Sequence, residues 1–521
     1  MLQCAGCDGV RLLSEPGMAA LLRGALRGWE RECLRVDPTG ELACTPHPRT
    51  LGAKGTHPWI TTDYAEPLLE FITPPAPDVG ETLDFLRNVH RYAARRIGDE
   101  WLWAGSMPCR IGRDEDIPIA HYGTTNEARF RQVYREGLGL RYGKAMQTIA
   151  GAHYNWSLPA PFWEALYERC PQQPSLRAEV DERYFGLVRN MLRFGWLVLY
   201  LFGASPAVGA SFVQGRSTRL HALGASTLYG PWATSLRMSR LGYQNRVQDK
   251  LVIGCNSLKE YVRTLDAAVR TPDPYYATLG VREGAAWKQL SAHVLQTEAE
   301  WYAPIRPKRT DAAGLRPAQA LRAHGVQYVE VRLLDIDPFI DIGVHAQQAH
   351  FLDTLLLLCL LRASPPISPR EYAENDENLH RVAAGGRDPR LHLLLHNREY
   401  PMRALAHRLV DDMLPVAEVL DAAHAGQEHR NALAAARACI DDPGSTPSAR
   451  VLNAVQQAGG HATFALEQAR VHTAALQSQP LTPFWQERMD RSVADSLTED
   501  ERLHALPQEP FEDYVARYLG G

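Results

Sequence analysis

At 521 residues, with 45% hydrophobic and 22% charged residues, the chain can bury a large core and is too apolar for wholesale disorder. Its formal net charge of −4 leaves no basic excess, which argues against nucleic acid or an anionic membrane surface as a partner. Nine cysteines without the spacing of a disulfide framework suit the cytosol.

In chain order, the first feature is a C-x-x-C, Cys4 and Cys7, with no second pair at zinc-site spacing, so it reads as a loose tail. GWERECLRV, Gly28 to Val36, then reads as a buried strand carrying Glu30 and Glu32. Side chains at i and i+2 of a strand share a face, so these two like charges need a cationic partner, a retained proton or open water. TTDYAEPLLEFIT adds Asp63, Glu66 and Glu70 on a strand or strand entry, and Pro67 removes a ladder donor and puts the orientation of Glu66 in doubt. Helical spacing follows over Glu81 to Arg96. GLGLRYGKA has the wrong spacing for a phosphate loop, and Ala145 stands where a Ser or Thr would hold magnesium.

GAHYNWSLP places His153 on an apolar strand, and Phe185 to Val198 returns to helical spacing. Phe194 to Val213 has twenty residues without a charge, but its small residues and Pro206 favour a buried helix and a turn over a membrane span. YAPIRPKR holds Arg306, Lys308 and Arg309 between prolines, a set suited to phosphate oxygens or to a solvated loop. VQYVEVRLLDIDP alternates as a strand with Tyr328, Glu330 and Arg332 on one face, and Thr354 to Leu361 reads as the core side of a helix. SPPISPR, Ser364 to Arg370, is a Pro-rich break, after which Ala, Leu, Arg and His dominate in helical patterns. Isolated strands among helices, without a β-α-β repeat, favour an α+β fold.

Taken together, the carboxylates in three apolar segments would each cost several kcal/mol if unpaired. A hard divalent cation shared with phosphates would compensate them, and the bland alternative is ion pairing to Arg31, Arg35 and Arg332.

GWERECLRV, HPWITTDYAEPLLEFIT, YREGLGLRYGKAMQTIAGAHYN, FGASPA, ATSLRMSRLGY, WYAPIRPKR and VEVRLLDIDPF, in this order, closely resemble proteobacterial glutamate-cysteine ligase (gamma-glutamylcysteine synthetase). The likeness runs from about Gly24 to Pro338. It implies a glutamine-synthetase-like curved antiparallel sheet flanked by helices; the Pro-rich break and the change of composition after it divide the chain into 11–365 as the catalytic core and 366–521 as a helical C-terminal region packed on it. It further implies that ATP phosphorylates the γ-carboxylate of glutamate and that the amine of cysteine displaces phosphate, with Mg2+, or Mn2+ in its place, bridging the anions. By motif matching the metal set is Glu30, Glu32, Asp63, Glu70, His153 and Glu330, the phosphoryl-stabilising residue is Arg332, and Arg306, Lys308 and Arg309 serve ATP. Tyr134, Leu138, Gln147, Arg237, Tyr243 and Tyr302 correspond to the acceptor side. A cytoplasmic monomer is expected, with glutamate, cysteine and ATP as its small-molecule partners. The Cys4/Cys7 tail, His345, His350 and the Ala-rich C-terminal region match poorly and receive no role. The same acyl-phosphate chemistry with another amine, a metal-dependent phosphohydrolase and a membrane-associated binding protein stay open as alternatives.

Overall fold

The computed structural model describes residues 9–13, 15, 17–213, 216–242, 247, 251–310 and 314–520. Cys4, Cys7 and Tyr243 lie outside the described residues. The organising element is a seven-stranded antiparallel sheet. Its strands are β1 (Leu26–Val36), β2 (Ile60–Thr62), β3 (Leu68–Ile72), β4 (Trp101–Leu102), β5 (Ala152–Ser157), β6 (Ile305–Lys308) and β7 (Tyr328–Leu334). The order is β6-β7-β5-β1-β3-β2, and β4 pairs with the far end of β1.

Period-2 alternation sorts β1 into two faces. Trp29 and Cys33 enter a hydrophobic core with Tyr154 and Trp156 of β5 and Val329, Val331 and Leu333 of β7, while Glu30 and Glu32 point the other way. Arg31 and Arg35 share the core-side parity, so they do not partner the two glutamates; Arg35 pairs with Glu100 at 2.5 Å instead. The bland ion-pair reading is therefore wrong for these two arginines and right for Arg332.

The segment around Glu66 also departs from a single acidic strand. It folds as a hairpin, β2 and β3, with Thr61 opposite Glu70. Glu66 sits in the turn, where its carboxylate accepts from Lys54 and from the backbone N–H groups of His47 and His121. Those donors take up its charge, which removes it from the polar face.

Helices cover the apolar side of the sheet. α1 (Val79–Ala94) is started by Asp78, whose side chain accepts from the Glu81 N–H, and buries the stripe Leu83, Leu86, Val89 and Tyr92. α2 (Asn126–Tyr142), capped by Thr125 in the same way, lies apart from that layer and packs on the last helix, Phe511–Gly520. α3 (Leu176–Phe194) and α4 (Trp196–Phe202) meet at a bend of 57°. The uncharged segment thus breaks after Phe194, and every residue of α4 is buried. Among the described residues no single helix is long and apolar enough to cross a membrane.

α5 (Ala346–Leu361) is apolar nearly all round, as expected of a helix enclosed on every side, and it packs on α3. Past the Pro-rich break, Ser368 caps α6 (Pro369–Gly385), with Pro369 at the first helical position, where its missing N–H costs nothing. α7 (Met402–His424) and α8 (Glu428–Asp441) stack on α5, and further helices continue to Gly520. One hairpin, His392–Leu395 with Arg398–Pro401, interrupts this helical region.

Candidate active site

The face of the sheet opposite the core is polar across six strands. Register sets the neighbours: Glu32 stands opposite Glu70, Glu30 opposite His153, Asn155 opposite Glu330, and Glu330 opposite Arg306. Three distant sequence segments therefore deliver their carboxylates to one surface.

His153 is at its centre. Its Nδ1 lies 3.1 Å from Glu30 Oε2 and 3.5 Å from Glu330 Oε1, and its Nε2 lies 3.6 Å from Glu32 Oε1. Asn155 Nδ2 donates to the other Glu30 oxygen at 2.9 Å, and the Gly151 N–H donates to Glu32 at 2.6 Å. One neutral donor thus fixes the angle of each carboxylate.

β7 carries a bulge between Val331 and Leu334, so that Arg332 and Leu333 together oppose His153. Arg332 keeps the face of Glu330 by ordinary alternation, and the bulge brings Leu334 into the core beside Leu333. Arg332 Nη1 donates to Glu330 Oε1 at 2.8 Å, its guanidinium lies 5.9 Å from the Tyr302 ring centre, and its carbonyl accepts from Arg237 at 3.0 Å. Arg237 is in turn 3.8 Å from the buried Asp335, which accepts from Ser205, Ser235 and the Ala204 N–H. Lys308 Nζ reaches the second Glu330 oxygen at 3.2 Å.

The electrostatics separate the carboxylates into two kinds. Burial pushes the Glu330 carboxyl up, but Lys308, Arg332 and His153 outweigh it and hold the group well below the usual carboxylate range. Burial and Glu330 likewise push Glu30 up, and His153 and Lys308 overcome them. Glu32 is raised, chiefly by burial. Glu70 is raised well above the ordinary range by burial and by the charges of Glu30, Asp63 and Glu32. Among the described residues no basic nitrogen pairs with the Glu70 carboxylate within 4.0 Å. Yet one ligand atom each from Glu30, Glu70 and His153 lies within 4.8 Å of the others. An uncompensated, oxygen-rich set of this kind suits a hard divalent cation.

The sequence-derived residues gather unevenly. Glu30, Glu32, Glu70, His153, Glu330, Arg332 and Lys308 share the polar face, and Asp63 at the end of β2 is near enough to act on Glu32 and Glu70. Arg306 is on that face by register, with its guanidinium tied to the carbonyls of Ala299 and Trp301. Arg309 lies past the end of β6 and donates to the Gly325 carbonyl at 2.7 Å, away from the carboxylates. Arg237 and Tyr302 flank Arg332, and the Tyr302 hydroxyl bonds Met238 Sδ. Tyr134, on α2, packs beside Phe130 and Val133 with its carbonyl accepting from Gln296. Leu138 packs on the cluster around Met146 and Ile149, and Gln147 is buried in the turn Ala145–Thr148. The near-miss phosphate loop is the end of α2, with Lys144 Nζ donating to the carbonyls of Glu115 and Ile117.

Sequence reading missed Asn155 and Asp335. The first carries a signal, two residues from His153 on one strand; the second carries none, because its partners come from Ala204, Ser205 and Ser235.

Comparison with known proteins agrees with this picture. The family profile described as glutamate-cysteine ligase matches residues 10–382. A glutamate–cysteine ligase of Azotobacter vinelandii is 47% identical over 97% of this chain and 96% of its own length. One from Alcanivorax borkumensis is 44% identical over 98% of both chains. The crystal structure of glutamate–cysteine ligase from Francisella tularensis in complex with AMP superposes with a TM-score of 0.90 at 33% identity, covering 95% of this chain and 98% of that one. A bifunctional glutathione synthetase from Pasteurella multocida, 24% identical, shares the fold with a TM-score of 0.72 over 90% of this chain and 55% of its own.

Proposed function

This chain belongs to the glutamate-cysteine ligase family, and on that premise we propose that the polar face of its sheet is where γ-glutamylcysteine is made. The enzyme joins the γ-carboxylate of glutamate to the amine of cysteine at the expense of ATP. The observation that carries the assignment to this face is Glu70, a carboxylate held among like charges beside a row of fixed cations. That arrangement is costly without ligands and useful with them.

The chemistry follows from the charges. A carboxylate oxygen of glutamate must approach the γ-phosphorus of ATP, which brings two anions together; the P–O bond to ADP breaks as the acyl phosphate forms. The amine of cysteine then attacks the acyl carbon, and phosphate leaves with the C–O bond electrons while the nitrogen gives up a proton. Arg332, anchored by Glu330 and Tyr302, presents a guanidinium fixed in advance, whose charge would stabilise the phosphoryl-transfer transition state without reorganising. Lys308 and Arg306, on the neighbouring strand, extend the same positive row along the nucleotide phosphates. Glu30, Glu32, Asp63, Glu70, His153 and Glu330 would hold Mg2+, or Mn2+ in its place, which supplies charge neutralisation between ATP and glutamate. Tyr134, Leu138, Gln147, Arg237 and Tyr302 form the cysteine side, where ring edges favour contact with sulfur. Arg309 serves the nucleotide only at its periphery.

The reading extends to a cytoplasmic monomer whose catalytic core is 11–365, with 366–521 as a supporting helical region. Neither phosphohydrolysis nor another acceptor amine is favoured by the family membership.

ADP release tests the function directly. With ATP and magnesium, release should require glutamate and cysteine together and yield the mass of the γ-dipeptide. Release without any amino acid would point to phosphohydrolysis, and release with glutamate and only a different amine would overturn the acceptor.

A further inference from the structure

On the opposite side of the sheet lies a second group of metal-capable side chains that the ligase reaction does not use. His350 and Asp353 stand one turn apart on α5, and His429 enters from the second position of α8. One ligand atom from each lies within 4.8 Å of the others. We propose that His350, Asp353 and His429 form a site for a borderline divalent transition cation such as Zn2+, separate from the carboxylate face.

The donors are already prepared. His429 Nδ1 lies 2.9 Å from Asp421 Oδ1, and Asp421 is itself held by Arg430 Nε at 2.8 Å and by the backbone N–H groups of His429 and Arg430. A carboxylate behind an imidazole fixes the proton on the near nitrogen and turns the far lone pair outward, as outer-shell partners of metal-bound histidines do. That far nitrogen, Nε2, is buried in a side chain only 3% exposed, has no hydrogen-bond partner, and faces Asp353 Oδ2 at 3.9 Å. His350 Nδ1 is likewise buried without a partner.

Asp353 accepts from Arg27 Nε at 2.7 Å and from the Tyr154 hydroxyl at 2.7 Å, which keeps it an anion. The rival occupant of the gap is a proton on His429, bridging Asp421 and Asp353. At 3.9 Å the second half of that bridge is too long for a hydrogen bond.

Two imidazoles and one carboxylate suit Zn2+ or Co2+ and not Mg2+, which prefers an all-oxygen shell. Tetrahedral donors at Zn2+ stand about 3.3 Å apart, so the half-buried His350 must turn inward to close the set. His424, whose ring centre is 5.9 Å from that of His429, is within reach as a fourth donor. A cation here would pin α5 and α8 to the back of the sheet through the Asp353 contacts with Arg27 and Tyr154. Its effect should appear in stability before turnover.

The test uses the full-length protein, stripped with a chelator and kept in excess Mg2+ to saturate the carboxylate face. Co2+ should then produce a saturable visible d–d band at a single equivalent, which Zn2+ abolishes. His429→Gln and His350→Gln should each weaken binding at least about tenfold, Asp421→Asn by a similar factor, and Glu30→Gln should leave it unchanged. Zn2+ should also raise the unfolding temperature of the wild type but not of His350→Gln, a half-exposed position that keeps the test usable if His429→Gln does not fold. No saturable band, or a band that survives His350→Gln, would overturn the site.

Discussion

The two faces of one sheet handle charge in opposite ways. On the back, Arg27 is paired with Asp353 and Arg35 with Glu100, each at hydrogen-bond distance in the interior. On the front, Glu330 is over-supplied with cations, while Glu70 has no ion pair within 4.0 Å among the described residues and feels Arg332 only from a distance. Strand β1 contributes to both, with arginines at 27, 31 and 35 behind and glutamates at 30 and 32 in front. A buried charge that is paired off serves the fold, and one left unbalanced marks the place where a ligand of opposite sign completes the structure. The contrast is sharp enough to be broken by experiment.

The largest expected effect is on the back face. Arg27→Met leaves Asp353 buried and unpaired, so equilibrium unfolding should show a loss of about 3–5 kcal/mol, while kcat below the melting temperature stays near wild type. A large fall in kcat without destabilisation would erase the distinction between the faces. Next is Arg332→Ala, expected to lower kcat by about 100- to 1000-fold with a much smaller change in KM for glutamate, because its charge is needed mainly as phosphoryl transfer proceeds. Steady-state kinetics showing equal losses in binding and turnover would remove it from that step. Asn155→Ala frees one Glu30 oxygen to rotate and should weaken Mg2+ activation about tenfold, with little change in stability.

The smallest effect concerns Glu70 and pH. Its folded carboxyl holds a proton to higher pH than the unfolded one, so between those two values the folded state binds more protons and stability falls as pH rises. In Mg2+-free buffer, denaturant unfolding from the ordinary carboxylate range upward should show this decline, and Glu70→Gln should flatten it while abolishing much of the activity. An unchanged slope in the variant would mean that the like-charge repulsion at Glu70 is relieved in solution.

Much of the front face was legible because a strand has period 2. Glu30 with Glu32, and Glu330 with Arg332, could be placed on common faces from spacing alone, and the same parity puts Arg31 and Arg35 behind. The β2–β3 hairpin was not legible in this way. Pro67 flagged a disturbance, but only the turn geometry around Glu66, where Lys54 and two backbone amides collect its charge, shows why Asp63 and Glu70 face the site and Glu66 does not. Arg309 illustrates the converse: three basic residues within four positions suggested one role, and the strand ends at Lys308, so Arg309 meets the Gly325 carbonyl instead.

The local sequence by itself determined the strand character of β1, β5 and β7, the helical spacing of α1 and the parity of charges along β1 and β7, because these depend on neighbours within a few residues; the break after Phe194, inside a run of helical spacing, was not among them. Only the tertiary structure decided which carboxylates meet. The pairing of β1 with β3 and β5 joins residues far apart in the chain, 38 positions for Glu32 with Glu70 and 123 for Glu30 with His153. The bulge in β7 is likewise a property of two strands, and the electrostatic frustration at Glu70 arises from two segments folded together, one with Glu30 and Glu32 and one with Asp63 and Glu70, so neither stretch alone contains it.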